Sequence, residues 1–353
     1  MTEDERMDLD LLVTVARGVI DLTSVARSAE FRLPYPPSVQ LALDRVVLAG
    51  LRRGLPVPPG VPGLMSWCRN PGLEGWPLAL PGGFLTVDAQ LIHSTADEPT
   101  RTCAELASLG THGAPEQEAE ALLAALADAC GTVERFAACR DFLIRRPVIL
   151  RFNPAELLRP TVAVTWRLVK GLYTPVPDRF SIDGLVHRCT GCLLLAKPVT
   201  ADGPWCEGGC PSSGRELESS HQSGQALALP FPLRIFLALP GRTEQMVRSR
   251  LKDQPRLLPS GLGVHHVTDQ DGMLRAFQVH DREQPVLAAL RAAEVAIRLG
   301  GPLDVVVPDG LAARPGHRQS FSRGLPDGAQ VRLLSAGEFT APQPTGLSRR
   351  SHA

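Results

Sequence analysis

Much that would point directly to a function is missing from this chain. Lys plus Arg and Asp plus Glu number 37 each in 353 residues, so no surplus of one sign draws the whole protein toward nucleic acid or a membrane surface. Any such attraction has to come from local patches. No apolar run approaches the ~20 residues that span a bilayer. The N-terminus, Met1-Thr2-Glu3-Asp4-Glu5-Arg6, is acidic and lacks the basic start and apolar run of a secretory signal, so a cytoplasmic location is expected. Neither a nucleophile elbow, a phosphate-cradling P-loop nor a dinucleotide glycine fingerprint occurs, which argues against serine-histidine-acid hydrolysis and against ATP hydrolysis by this chain.

What is present begins with cysteine. Cys189-Thr190-Gly191-Cys192 is followed by Cys206-Glu207-Gly208-Gly209-Cys210. Two close pairs of this kind can supply four thiolates to one tetrahedral ion, the pattern of a zinc ribbon. Gly191, Gly208 and Gly209 suit the knuckles, where backbone amides turn toward the sulfurs. Four thiolates leave no open position for water, so such a zinc is structural and folds the region around it. In a reducing compartment Cys68, Cys103, Cys130 and Cys139 read as buried small hydrophobes and not as disulfides.

A chain of 353 residues predicts two or three units. Leu9, Leu11, Leu12, Val15, Val19, Ile20 and Leu22 recur at helical spacing over Met7 to Arg27, and Pro37-Ser38 opens a second helix that Gly54 closes. Trp67 and Trp76 read as core anchors. Pro99-Thr100 caps a short helix through Cys103, Leu106 and Leu109, and Pro115 to Ile144 is a long helical stretch with a break at Gly131. Ser212 to Ser223 is polar and reads as a flexible linker. The pattern then changes. Leu233 to Leu239 reads as a short buried strand, Pro240-Gly241 as a turn, and Thr243 to Leu251 as a short helix. Val264 to Val267 and Leu274 to His280 pair around the turn Asp269 to Gly272. An amphipathic helix from Gln284 to Leu299, a buried strand Leu303 to Val307, a helix near Gly316 and a strand Gln330 to Leu334 complete an α/β unit. Pro342 to Ala353 reads as a disordered tail.

Arg140, Arg145, Arg146, Arg151, Arg159, Arg167 and Lys170 make residues 140–170 the most basic part of the chain, readable as a phosphate-binding face or as a solvated helix surface. His265-His266 with Asp269 suggests a transition-metal site, but adjacent strand residues face opposite ways. Arg314-Pro315-Gly316-His317-Arg318 with Arg323 could meet phosphates at a helix start, or form an ordinary loop. A zinc-ribbon DNA-binding regulator would need a recognition helix; the Leu41 to Gly54 candidate carries Arg45, Arg52 and Arg53, yet apolar residues occupy most of its length.

The chain resembles the restriction-endonuclease-fold component of prokaryotic PIWI-RE three-gene defence islands. The residues carrying the resemblance are Arg32 to Pro36 with Leu41 to Arg45, Trp76-Pro77-Leu78, Arg140 to Val148, Tyr173 to Pro177, the four ribbon cysteines with Trp205-Cys206-Glu207, Pro240 to Glu244, Val307-Pro308-Asp309 and Arg314-Pro315-Gly316. The resemblance implies a PIWI-like protein and a helicase as partners, DNA as ligand, and an α+β multi-domain chain. Its divisions would be a helical domain over 1–178, the zinc ribbon and linker over 179–223, a restriction-endonuclease-like α/β domain over 224–341, and the tail over 342–353.

That family's nuclease core implies a helix glutamate, a strand aspartate and an acid-spacer-lysine strand, which together hold Mg²⁺ to activate water. Glu244 matches the helix glutamate. The acid-spacer-lysine position reads Gln278-Val279-His280, and no acid lies between Gln254 and Thr268. A neutral amide is a poorer Mg²⁺ ligand than a carboxylate, so a degenerate nuclease fold that binds DNA or an island partner is expected. The alternative is an active endonuclease, with Mg²⁺ in a rearranged site of Glu244, Asp269, Asp271, His280 and Asp281. Asp281 directly follows His280, which on a regular strand turns it to the opposite face.

Overall fold

The computed structural model describes residues 3–25, 34–73, 76–78, 80–109, 115–157, 159–199, 203–211, 215–221, 226–251, 255–258, 262–268 and 274–341. The turn Asp269 to Gly272, the tail from Pro342, and Arg27, Arg32 and Leu33 lie outside these.

The chain opens with α1 (Glu3–Val25), α2 (Pro37–Arg53), α3 (Val61–Cys68) and α4 (Arg101–Ala107). Leu12, Val15 and Val19 of α1 meet Val39 and Val46 of α2 in a core that also buries Leu64, Trp76 and Cys103. Gly54 closes α2 at φ 63°, the left-handed conformation that glycine adopts without strain. Thr100 caps α4, its hydroxyl accepting from the Cys103 amide at 3.1 Å. The long helical stretch divides where the sequence predicts: α5 (Pro115–Cys130) ends before Gly131 at φ 70°, and Thr132 caps α6 (Val133–Arg145).

Beyond lie β1 (Val148–Ile149), α7 (Pro154–Leu157), α8 (Pro160–Val169) and β2 (Thr174–Pro175). The cysteine region is a small antiparallel sheet of β3 (Ser181–Ile182), β4 (Leu185–Cys189), β5 (Leu195–Lys197) and β6 (Trp205–Cys206) in that order. The expected linker is structured in part, because β7 (Leu217–Ser220) pairs with β4. Its polar side chains do not oppose this, since the ladder bonds are backbone bonds. Arg188 adds a cross-strand pair to Glu218 at 2.5 Å.

After the cysteine region, β8 (Leu227–Ala228) returns between β1 and β2. The segment expected as a strand is instead helical: α9 (Phe231–Leu233), a π-turn over Arg234–Ala238, and α10 (Leu239–Arg250) follow without interruption. Leu233 to Leu239 is buried throughout, and a fully buried helix shows no periodicity that would separate it from a strand. Pro240-Gly241 is not a turn. The widened π-turn accommodates a proline ring that lacks an amide. Gly241 lies so close to α6 that a Cβ there would meet Ile144 Cγ1 at 2.6 Å.

The C-terminal sheet runs β13-β12-β11-β10-β9, with β9 (Arg256–Leu257), β10 (Val264–Thr268) and β11 (Leu274–Val279) antiparallel. α11 (Pro285–Leu299) leads to β12 (Leu303–Val307), parallel to β11. Then α12 (Asp309–Ala312) and α13 (His317–Gly324) lead to β13 (Val331–Ser335), parallel to β12, and α14 (Ala336–Thr340) closes the unit. Helices cover both faces. Val264 and Val305 pack against Ala288 and Ala292 of α11 on one side, while Phe277, Val279 and Val306 pack against Val247 of α10 on the other.

Candidate metal centre and the nuclease-like positions

Each of Cys189, Cys192, Cys206 and Cys210 offers a sulfur lying within 4.8 Å of the other three. Cys189 ends β4 and Cys206 ends β6, so two strand ends bring the pairs together. Cys192 and Cys206 Sγ stand 3.7 Å apart, against the ~3.8 Å that sulfurs ~2.3 Å from a tetrahedral zinc require. The four residues could therefore hold a metal ion. Hydrogen bonds from the Cys192, Cys206 and Cys210 thiols hold Cys189 far below the ordinary thiol range, and the same contacts hold Cys192 and Cys206 far above it, so without a metal the four share one thiolate unevenly. The glycines serve differently from one another. Gly209 takes φ 61°, as a knuckle turn expects, but Gly208 is there for space: a Cβ would meet Cys192 Sγ at 2.7 Å. Cys68, Cys103, Cys130 and Cys139 are buried free thiols, and burial pushes Cys68 and Cys139 up to about 12.

The cysteine region is fastened to its surroundings by buried charge. Glu207, between the last two cysteines, receives Arg234 of the π-turn at 2.6 and 2.8 Å. Arg101 of α4 donates to the Gly208 carbonyl at 3.2 Å and to the Asp281 carboxylate at 2.8 Å. Glu105, one turn further along α4, accepts from the Glu283 and Gln284 amides at 2.7 and 3.1 Å, just where α11 begins.

Glu244 is buried on α10 and is completely engaged. Both Arg140 amino groups reach its two oxygens at 2.5 Å each, and His265 Nε2 lies 2.8 Å from Oε1. Gly263, at φ 95°, leaves the room they occupy; a Cβ there would stand 2.2 Å from Arg140 Nη2. Burial works to raise the Glu244 carboxyl, but Arg140 and the His265 hydrogen bond outweigh it and bring it down to about 2.

Gln278 and His280 stand elsewhere. Phe277 and Val279 face α10, so the alternating Gln278 points to the α11 side of the sheet, away from Glu244. His280 Nε2 meets Gln278 Oε1 at 2.9 Å, and burial, aided by Arg282, brings His280 down to about 3. Asp281 is held by Arg101; Asp269 and Asp271 lie outside the described residues. Neighbouring His265 and His266 differ as strand alternation requires: His265 is buried against Glu244 and His266 is half-buried.

Sequence reasoning missed Arg140, which it placed among surface cations. The available signal was its position on the apolar stripe of α6, four residues after Phe136 and three before Leu143, both buried.

Compared with known families, residues 11–150 match the pPIWI_RE three-gene island domain Y. The match associates this chain with the pPIWI-RE island. No curated protein matches the chain. No solved structure does either. The domain Y match covers the helices through α6, including Arg140 and the Arg101 and Glu105 contacts, and ends at Leu150; the cysteines, Glu244 and the C-terminal sheet follow it. Just beyond its end, Arg151, Arg159, Arg167 and Lys170 are exposed, and Arg145 joins them from α6.

Proposed function

We propose that this chain is a non-catalytic, nucleic-acid-binding component of a PIWI-RE-type defence island, built on a restriction-endonuclease-like core whose metal site has been lost. The observation that carries the reading is the Arg140 guanidinium across both oxygens of Glu244. A Mg²⁺ ion needs those same lone pairs, and admitting it would leave a buried cation without its partner. Gln278 brings an amide in place of a carboxylate, and it projects from the opposite sheet face. Support for the core comes from its element order: α10, an antiparallel hairpin, α11 and a parallel strand, as the nuclease resemblance implies.

In this reading the four cysteines hold a structural zinc, and the cations of α6, α8 and Lys170 form the surface that meets the DNA backbone. Each phosphate so neutralised releases counterions, which makes the binding fall with salt. The PIWI-like protein and the helicase of the island are the proposed partners.

The test is cleavage of single-stranded and duplex DNA by the purified chain with Mg²⁺ or Mn²⁺, beside a salt-titrated binding assay on the same DNA. Salt-sensitive binding without cleavage, unchanged by Glu244→Gln, is expected. Cleavage abolished by Glu244→Gln or His280→Gln would establish a rearranged nuclease and overturn the reading.

A further inference from the structure

A cleft of about 610 Å³ opens where three parts of the chain meet, within the ~300–1,000 Å³ that sites for small organic ligands span. The segment leading from Thr86 into α4 forms one wall, the cysteine region with Trp205 and Arg215 a second, and Glu283 with the Arg314-Pro315 turn a third. None of its lining residues comes from α6 or α8, and Glu244 is not among them, so the cleft is separate from the basic surface and from the nuclease-like positions.

Each wall contributes one arginine. Arg101 donates to Asp281 and to the Gly208 carbonyl, yet its Nε–H has no hydrogen-bond partner. Arg215 donates to the Pro204 carbonyl, pairs with no carboxylate among the described residues, and likewise has an unpartnered Nε–H. Arg314 is exposed, and its side chain makes no hydrogen bond or ion pair among the described residues. Of the acids lining the cleft, Glu207 is held by Arg234, Glu283 lies 4.0 Å from Arg101, and Asp88 is exposed. Arg215 and Arg314 thus share one space with no carboxylate bonded to either. Two guanidinium forks in this situation offer what a phosphate group needs, several donors fixed in a plane and a charge to meet its own.

The other lining residues suit a flatter and less charged group. The Trp205 ring is fixed, stacked on Phe180 at 6.4 Å and met by the edge of His93 at 6.2 Å, and Pro204 and Pro315 line the cleft beside it. The Gln90 amide and the Glu283 carboxylate supply acceptors for the amino groups of a heterocycle. A bare inorganic anion would use the arginines and leave these groups idle.

We propose that this cleft binds a nucleoside phosphate, with Arg215 and Arg314 on the phosphate and the base against the Trp205 wall. A free nucleotide and the phosphorylated end of a strand present the same chemistry. The proposal does not rest on DNA binding by the basic surface, because the two share no residue. A ligand here would touch all three parts of the chain and brace them against one another.

The test is isothermal titration calorimetry of the full chain with AMP, GMP, CMP and UMP singly, and with a 5′-phosphorylated adenosine dinucleotide beside its 5′-hydroxyl counterpart. Binding of a mononucleotide or of the phosphorylated dinucleotide is expected, with inorganic phosphate competing and the melting temperature rising on saturation. A mononucleotide that binds would mark a free nucleotide as the ligand; the phosphorylated dinucleotide alone would mark a strand end. Arg314→Glu and Arg215→Glu should each weaken binding at least ~10-fold, while duplex DNA binding stays as in wild type. Circular dichroism melts would establish that the variants are folded, and Arg215→Gln serves if Arg215→Glu is not. Failure of every probe to bind overturns the proposal. So does equal binding of the two dinucleotides, or binding indifferent to both arginine substitutions.

Discussion

Arg140 of α6 and Glu244 of α10 face one another through two parallel hydrogen bonds of 2.5 Å, both side chains being almost completely buried. They are 104 residues apart, and the pair binds the domain Y helices to the long helix that flanks the C-terminal sheet. A fork-to-fork pair of this kind is directional, and its desolvation is offset only while both members are present. Arg140→Ala should therefore destabilise the protein by about 3–5 kcal/mol in chemical denaturation, by leaving the buried carboxylate without its guanidinium. Replacing both residues, Arg140→Met with Glu244→Leu, should cost clearly less than the single change. Equal losses would show that the pairing is not what matters.

Gly208 is predicted to be irreplaceable for a steric reason. In Gly208→Ala the new methyl would stand 2.7 Å from Cys192 Sγ, one of the four sulfurs that could hold a metal. Metal affinity by chelator competition should fall by an order of magnitude or more, as it does when the groups that orient ligands are disturbed. Gly191→Ala meets Cys210 Sγ only at 3.4 Å and should be milder. Equal metal affinity in the two variants would sink this argument.

Removing the metal should unfold the middle of the chain. The purified protein should carry about one zinc per chain, since four thiolates complete one tetrahedral sphere. A chelator, or Cys206→Ser, should expose residues 181–220 to limited proteolysis. A metal-free protein that resists the protease as well as the loaded one would remove zinc from the folding of this region.

Stability should respond to pH through two buried groups of opposite sign. His280 falls from its usual 6.5 to about 3, so it favours the neutral form. Its contribution is present above pH 6.5 and is lost as pH falls toward 3. Glu105 rises from 4.5 to about 7 by burial, against the pull of Arg101 and Arg282. The folded chain then holds a proton that the unfolded chain gives up, so this group favours folding as pH falls from 7 to 4.5. One full proton changes stability by about 1.4 kcal/mol per pH unit. Relative to wild type, His280→Gln should gain stability between pH 7 and pH 5 and Glu105→Gln should lose it, measured by urea denaturation at each pH. Parallel curves for the two variants would refute the assignment.

The ion pair from the cysteine region to the π-turn makes a further prediction. Arg234→Met leaves Glu207 buried without its guanidinium and should cost roughly 3–5 kcal/mol. Glu207→Gln keeps the shape and a hydrogen-bond acceptor and should cost less. A Glu207→Gln loss as large as that of Arg234→Met would count against the charge.

Several features were legible in the sequence because they are local. Cysteine spacing marked the cysteine cluster; Gly54, Thr100 and Gly131 marked helix ends, since caps and left-handed turns depend on a few adjacent residues. The hairpin of β10 and β11 followed from two apolar runs about a turn signal, and α11 and β12 from their apolar patterns. Leu233 to Leu239 did not, because burial on every side erases the period that separates helix from strand. The polar residues of β7 hid a strand whose ladder is made by the backbone. What surrounds Glu244 was beyond reach for a different reason. Its partners come from α6 and β10, and no rule of spacing links Arg140, Glu244 and His265. The sequence by itself determined which groups could bind a metal, and that Gln278 and His280 stand where the family resemblance would put an acid and a lysine. Only the tertiary structure decided that Arg140 occupies the Glu244 carboxylate and that Gln278 faces away, because charge pairing across a core depends on where helices cross.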